Sequence, residues 1–165
     1  MVNETEAAPY YFRYINLISD GNILGILESQ LNQALLFLKE ISEEKSLYRY
    51  APGKWSIRQV INHVNDVERV FVFRALWFAR GFGLPLPGFD QELSSSKADE
   101  IPWSRHIEEF RTIRLATLTF FGNLTPDEWS RTGVADDKPF TVNALAYIIA
   151  GHQTHHQNVL RERYL

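Results

Sequence analysis

Two histidines near the carboxyl end of the sequence, His152 and His156, are four residues apart in a stretch with a helical pattern. Residues four apart on a helix lie on one face, with Cβ atoms about 6 Å apart, so both imidazoles could reach one metal ion. Buried imidazoles need polar partners, because an unpaired polar group in an apolar interior is costly. The face is otherwise apolar, since the same spacing also selects Val142, Leu145, Ile149 and Leu160.

A third histidine, His63, lies on or beside the apolar side of an earlier helical stretch, three residues after Val60 and four before Val67. Metal sites in helical bundles are commonly assembled from side chains on facing helices. His63, His152 and His156 are therefore the predicted metal ligands, although hydrogen-bonded core histidines would give the same pattern.

The other two histidines are less suitable as ligands. His155 is about 100° around the helix from His156, so we expect it to point elsewhere. His106 falls in the first turn of a predicted helix, beside Arg105, and is expected at the surface.

Asp66 is the predicted catalytic residue, because it lies one helical turn after His63. Its carboxylate could contact the site, or it could orient a ligand imidazole by accepting a hydrogen bond. The alternative is a solvated charge on the helix surface. Weaker candidates for the mouth of the site are Gln157, Arg161 and the loop 85–92.

Four long helical stretches must position these side chains. They are predicted at about 20–42, 56–81, 103–122 and from 141 to the end of the sequence. Ser56 and Gln59 form a capping box for the second helix.

The long stretch 81–101 separates the second helix from the third, and 133–139 is expected to form a hairpin-like loop. The sequence therefore predicts an all-α fold, a four-helix bundle with a long connection between helices 2 and 3. We expect one domain over residues 1–165 and a topology other than simple up-down-up-down.

Composition narrows the functions that such a site could serve. The 165 residues include no cysteine, so any metal must be held by His, Asp or Glu, and thiol chemistry needs an external thiol. A net charge of -3 argues against nucleic acid as a partner. The longest apolar runs contain arginines, so no membrane span is expected. The first residues do not look like a targeting signal, which favours a cytoplasmic location.

The second helix is apolar on more than one side. Phe71, Phe73, Trp77 and Phe78 give it more apolar area than one buried stripe needs. Such a surface predicts a homodimer.

Three motifs together resemble the DinB/YfiT-like superfamily of metal-binding four-helix bundles. They are WSIRQVINHVNDVER at 55–69, PLPGF at 85–89 and HQTHH at 152–156. The resemblance implies a divalent metal, often nickel or zinc, held by His63, His152 and His156, with water in the remaining positions.

The same family includes S-transferases that use bacillithiol, mycothiol or related low-molecular-weight thiols, and an isomerase of maleylpyruvate. The resemblance therefore implies a small-molecule substrate, with a small thiol as a candidate cosubstrate. Gln157 and Asn158 stand where many relatives have a basic residue and a glycine. This departure concerns the cosubstrate more than the metal.

Three functions are compatible with the predicted site. The first is a metal-dependent enzyme that transfers a small external thiol to an electrophilic substrate. The second is a hydrolase in which metal-bound hydroxide attacks an ester or amide, with Asp66 as the general base. The third is a non-catalytic, stress-related bundle in which the metal braces helices 2 and 4. A fourth protein ligand that closes the metal site would indicate this function.

Overall fold

The computed structural model describes residues 2–165, and four of its helices are long. In chain order the helices are α1 (Phe12–Ile15), α2 (Ile23–Lys39), α3 (Ile57–Ala79), α4 (Gln91–Ser95), α5 (Trp103–Gly122), α6 (Pro126–Ser130) and α7 (Val142–Arg163). A hairpin of β1 (Thr132–Ala135) and β2 (Lys138–Thr141) precedes α7, and short 3-10 turns cover Pro9–Tyr11, Lys45–Leu47 and Ala98–Glu100.

The long helices form the predicted four-helix bundle. Helix α2 packs against α5 and α7, and α3 packs against the same two helices. The consecutive helices α2 and α3 therefore occupy opposite corners of the bundle. In a simple up-down-up-down bundle consecutive helices are neighbours, so the expectation of another topology is confirmed.

Local sequence fixes where α3 and α7 begin. The Ser56 hydroxyl accepts a hydrogen bond from the Gln59 amide at 3.1 Å, and the Gln59 side chain accepts one from the Ser56 amide at 3.0 Å. This is the predicted capping box. The Thr141 hydroxyl caps α7 in a similar way by accepting from the Ala144 amide at 2.9 Å.

The three predicted ligands lie where two apolar clusters meet. The first cluster contains Val67 and later residues of α3, together with α7 as far as Ala150. The second contains α3 as far as Val64 and the last part of α7 from Leu160. His63 on α3 and the histidine pair on α7 thus stand near the middle of the bundle, at the boundary between its two cores.

A buried ion pair joins α3 to α5. The carboxylate of Glu68 accepts two hydrogen bonds from the Arg114 guanidinium, both at 2.8 Å, and a third from the Thr117 hydroxyl. Arg114 is fully buried, and its remaining donors reach Leu27 and Gln30 on α2. Because removal of one partner would leave an uncompensated charge, this network favours a single packing of α2, α3 and α5.

Two parts of the fold add structure to the four predicted helices. The stretch 81–101 is not wholly irregular, because α4 forms behind an Asp90 cap, whose carboxylate accepts from the amides of Glu92 and Leu93. The amino-terminal segment also folds, and α1 packs against α7. Among residues 2–165, no helix is both long and apolar enough to cross a membrane.

Candidate metal centre

The imidazoles of His63, His152 and His156 converge on one point. The Nε2 atom of His152 lies 3.0 Å from Nε2 of His63 and 3.1 Å from Nε2 of His156. His63 and His152 are buried, and His156 is partly buried. All three therefore present the same ring nitrogen from two neighbouring helices.

These distances fit ligands of one ion. Two nitrogens that are each about 2.0–2.1 Å from a zinc ion lie roughly 2.8–3.4 Å apart at octahedral or tetrahedral angles. Hydrogen bonds among the three imidazoles, without an ion, explain these distances less well. The Nε2 of His152 carries either one proton or one lone pair, so it can complete a hydrogen bond with only one of its two neighbours.

Burial keeps the three imidazoles neutral. Desolvation lowers the pKa of His63 to about 4, opposed by the nearby charge of Asp66, and it lowers the pKa of His156 to about 3. The pKa of His152 falls well below its ordinary value because of burial and then because of His156 and His63. Since a ligand imidazole must be unprotonated, the set is ready to bind a cation at neutral pH.

Aromatic packing orients the rings. The His63 ring lies 5.1 Å from Trp55, and the His152 ring lies 5.2 Å from Tyr14. The Nδ1 atom of His63 is buried without a hydrogen-bond partner among residues 2–165. The orientation of this ring therefore depends on packing.

A cavity of about 310 Å³ opens beside the histidines, and His63 and His152 both line it. Its apolar wall is formed by Val67, Val70, Phe71 and Phe89. The polar part of its lining consists of Tyr10, Tyr11, Tyr14, Arg74, Gln91, Asp136 and Lys138. A substrate bound in this cavity would lie against two of the three candidate ligands.

The other histidines divide between the rim of the site and the core. His155 packs 5.0 Å from the His156 ring and 5.5 Å from Tyr14, but its nitrogens do not join the ligand cluster. The surface position expected for His106 is wrong, because its side chain is completely buried and its Nε2 lies 3.0 Å from the Ala98 carbonyl. The residues before α5 cover this first turn.

Asp66 anchors α4 to α3. Its carboxylate accepts hydrogen bonds from Asn62 at 2.9 Å and from the Ser94 hydroxyl, and it pairs with Arg69 at 3.1 Å. Asp66 does not belong to the lining of the cavity. Its assignment as the catalytic residue stays a prediction.

The weaker candidates for the mouth of the site do not lie together. The Arg161 guanidinium lies 5.1 Å over the Phe37 ring, away from the cavity lining. Gln157 accepts a hydrogen bond from Gln153 at 2.8 Å. Within the loop 85–92, Phe89 and Gln91 line the cavity, whereas Glu92 accepts a hydrogen bond from the Trp55 indole.

Sequence reasoning missed most of the cavity's polar residues. Arg74 could have been found, because positions 63, 67, 70 and 74 share one helical face. The aromatic run of Tyr10, Tyr11 and Tyr14 gave no such signal, since a helix of four residues shows no period.

Comparisons with known proteins agree with this architecture. The family model of the DinB superfamily matches residues 26–160. No curated protein matches the chain. Among solved structures, YfiT from Bacillus subtilis aligns with a TM-score of 0.72 over 98% of this chain and 91% of that chain, at 17% sequence identity. YfiT is described as a probable metal-dependent hydrolase with an unusual four-helix bundle topology.

Proposed function

Because this chain belongs to the DinB superfamily, we propose that it is a metal-dependent enzyme that holds one divalent ion through His63, His152 and His156. We propose further that it hydrolyses a small ester or amide bound in the adjoining cavity. The observation that carries this proposal is the position of the His152 Nε2, at 3.0 and 3.1 Å from two other imidazole nitrogens. One shared cation satisfies all three nitrogens, whereas hydrogen bonds cannot.

The ligand set supports a catalytic rather than a structural ion. In the part of the chain that the structure describes, the cluster of candidate ligands contains three histidines and no fourth residue. Structural zinc sites are usually closed by four protein ligands, and catalytic sites keep one position open. A divalent ion in such a site, nickel or zinc by the family resemblance, would supply a Lewis acid that polarises a carbonyl and lowers the pKa of bound water.

The chain's own residues would bind and orient the substrate. Val67 and Phe71 provide an apolar wall, and Tyr14 lies beside the His152 ring. Burial, and then a hydrogen bond with Tyr10, raises the pKa of Tyr14 above its ordinary value. Its hydroxyl is therefore protonated at neutral pH, and donation to a substrate carbonyl oxygen would replace its hydrogen bond with Tyr10.

The small volume of the cavity favours hydrolysis. A volume of about 310 Å³ is at the lower end of the range for small-molecule pockets, which is about 300–1,000 Å³. Water is the one nucleophile that needs no binding pocket of its own. The description of YfiT as a probable metal-dependent hydrolase supports the same reaction.

Transfer of an external thiol is the second candidate. The superfamily that 55–69 and 152–156 resemble includes thiol-dependent S-transferases, and the thiol would be external because the chain has no cysteine of its own. In that reaction the site would bind the sulfur as thiolate, the reactive form of the nucleophile.

A substrate screen separates the two reactions. Purified protein would be assayed with p-nitrophenyl acetate, and with bacillithiol, glutathione and coenzyme A against a model electrophile. We expect ester hydrolysis that is lost in His152→Ala, with no dependence on thiol. Thiol consumption without ester hydrolysis would favour the second candidate, and no turnover in either assay would overturn the proposal of an enzyme.

A further inference from the structure

Arg74 is a buried cation on the cavity wall, and no described carboxylate lies within ion-pair distance of it. Its side chain is 4% exposed, yet it lines the same cavity as His63 and His152. The buried arginines Arg58 and Arg114 each pair with a glutamate. Among residues 2–165, no ion pair joins Arg74 to a carboxylate.

The contacts of Arg74 hold it in place, and the carboxylate whose charge acts on it, Asp136, is already paired with Lys138. Its Nη2 donates a hydrogen bond to the Pro87 carbonyl at 3.1 Å, and its guanidinium also donates one to the Tyr11 hydroxyl. Its guanidinium carbon lies 5.4 Å from the Phe71 ring and 6.0 Å from the Phe140 ring. A guanidinium has five N–H donors in a fixed fork, so several donors remain for a ligand in the cavity.

Neighbouring groups make this end of the cavity electropositive. Lys138 also lines it and pairs with Asp136, the one carboxylate in the lining. Two cations thus face a single anion. Tyr11 does not change this balance, because burial raises its pKa, although the charges of Arg74 and Lys138 act in the opposite direction.

We propose that Arg74 binds an oxyanion of the substrate, either a carboxylate or a phosphate. The fork of an arginine matches both groups, and a buried charge is costly without such a partner. Since it places the reacting bond at the three histidines, this proposal rests on the proposed function.

The position of Arg74 also sets the shape of that substrate. Arg74 lies eleven positions after His63 on α3, which corresponds to about 16 Å along the helix axis. Side chains on a helix lean toward its amino end, so the Arg74 side chain reaches part of the way back. The oxyanion would therefore lie well away from the reacting bond, as in an elongated acid that carries an ester or amide at its other end.

Anion binding tests the subsite without any assay of turnover. Calorimetric titrations of the purified full-length chain would use glutarate, inorganic phosphate and the neutral glutaramide. We expect one of the two anions to bind, glutaramide to bind at least tenfold more weakly, and Arg74→Gln to lose at least tenfold in affinity. Equal binding of glutarate, phosphate and glutaramide to the wild-type chain would overturn the proposal, and this comparison needs no variant.

Two further variants sharpen the result. Arg74→Lys keeps the charge without the fork, so its affinity should fall between those of wild type and Arg74→Gln. Asp136→Asn removes the opposing carboxylate at a position with φ of 52°, a conformation that asparagine tolerates. It should bind the anion more tightly than wild type, and unchanged binding in Asp136→Asn and Arg74→Gln would count against the subsite.

Activity assays distinguish failure of the subsite from failure of the proposed function. We expect kcat/KM for p-nitrophenyl glutarate to exceed that for p-nitrophenyl acetate by at least tenfold, and Arg74→Gln to abolish this preference. Ester hydrolysis whose preference does not depend on Arg74 would overturn the subsite alone. Arg74-dependent anion binding without hydrolysis would overturn the proposed function alone.

Discussion

Gly151 and Tyr14 are in direct backbone contact, because a Cβ atom on Gly151 would lie only 2.1 Å from the Tyr14 carbonyl oxygen. This contact lets α1 approach α7 closely, immediately before His152. It therefore places the Tyr14 ring against the first candidate ligand of α7. A glycine in a helix interior usually weakens the helix, and here it makes room for the amino-terminal segment.

Substitution Gly151→Ala should separate α1 from α7. Because the clash is with backbone atoms, we expect a loss of about 1–3 kcal/mol or more in the free energy of unfolding. Urea denaturation measures this loss, and Gly122→Ala is the matched control, since nothing lies within 4 Å of a Cβ there. Equal stability of Gly151→Ala and wild type would contradict the contact.

Stability of the metal-free protein should fall as the pH falls below about 6.5. The lowered pKa values of His63 and His156, about 4 and about 3, lie below that of an unfolded histidine. The unfolded chain therefore binds more protons in this window, and protonation favours unfolding with a slope of about 1.4 kcal/mol per pH unit for each such histidine. Midpoints of urea denaturation between pH 7.5 and pH 5, measured with a chelator present, test whether stability falls with the pH as expected.

The variant His156→Leu provides the control for this pH dependence. It removes one buried imidazole, so the slope should become shallower. A slope that equals that of the wild type would show that other groups cause the loss of stability.

Asp66→Asn tests the predicted catalytic residue. If Asp66 takes part in proton transfer, kcat should fall by about 10²–10⁴-fold, while the urea midpoint changes little. Ser94→Ala is the matched control, because it removes a hydrogen bond to the same carboxylate and leaves the charge in place. Equal losses of kcat in the two variants would assign Asp66 to the anchoring of α4 instead.

The homodimer stays a prediction. Phe71 and Phe78 are buried in the protein's own core, so the exposed aromatic patch consists of Phe73 and Trp77 on α3 and of Phe82 just after it. Phe73 is 50% exposed and lies 5.9 Å from the Trp77 ring, which stacks on Phe82 at 4.3 Å. We expect the protein to sediment as a dimer at micromolar concentration and Phe73→Lys to sediment as a monomer. Leu36→Lys, at an exposed position on α2, should leave the dimer intact, and a monomeric wild type would contradict the prediction.

Long periodic segments made most of the bundle predictable. The third long helix was predicted at 103–122 and is α5, Trp103–Gly122. The Ser56–Gln59 capping box and the apolar face shared by His152 and His156 were equally local signals. Each depends on residues within a few positions of one another, where helical geometry leaves little choice.

Contacts between distant segments could not be predicted in the same way. The tyrosines of the cavity come from a 3-10 turn and a four-residue helix, whose position depends on the fit between Tyr14 and Gly151. His106 is covered by the turn at Ala98, in a stretch that has no long period. The helical spacing of Arg74 from His63 could be recognised in the sequence. That no described carboxylate forms an ion pair with Arg74 could be seen only in the structure.

Metal content of the purified protein tests the central claim most directly. After dialysis without chelator, elemental analysis should find about one divalent ion per wild-type chain, retained by His155→Ala and lost from His152→Ala. His155 is the matched control, because it lies beside His156 but outside the ligand cluster. A wild-type chain that carries no metal and binds none when it is added, or a His152→Ala variant that binds metal as the wild type does, would contradict the three-histidine site.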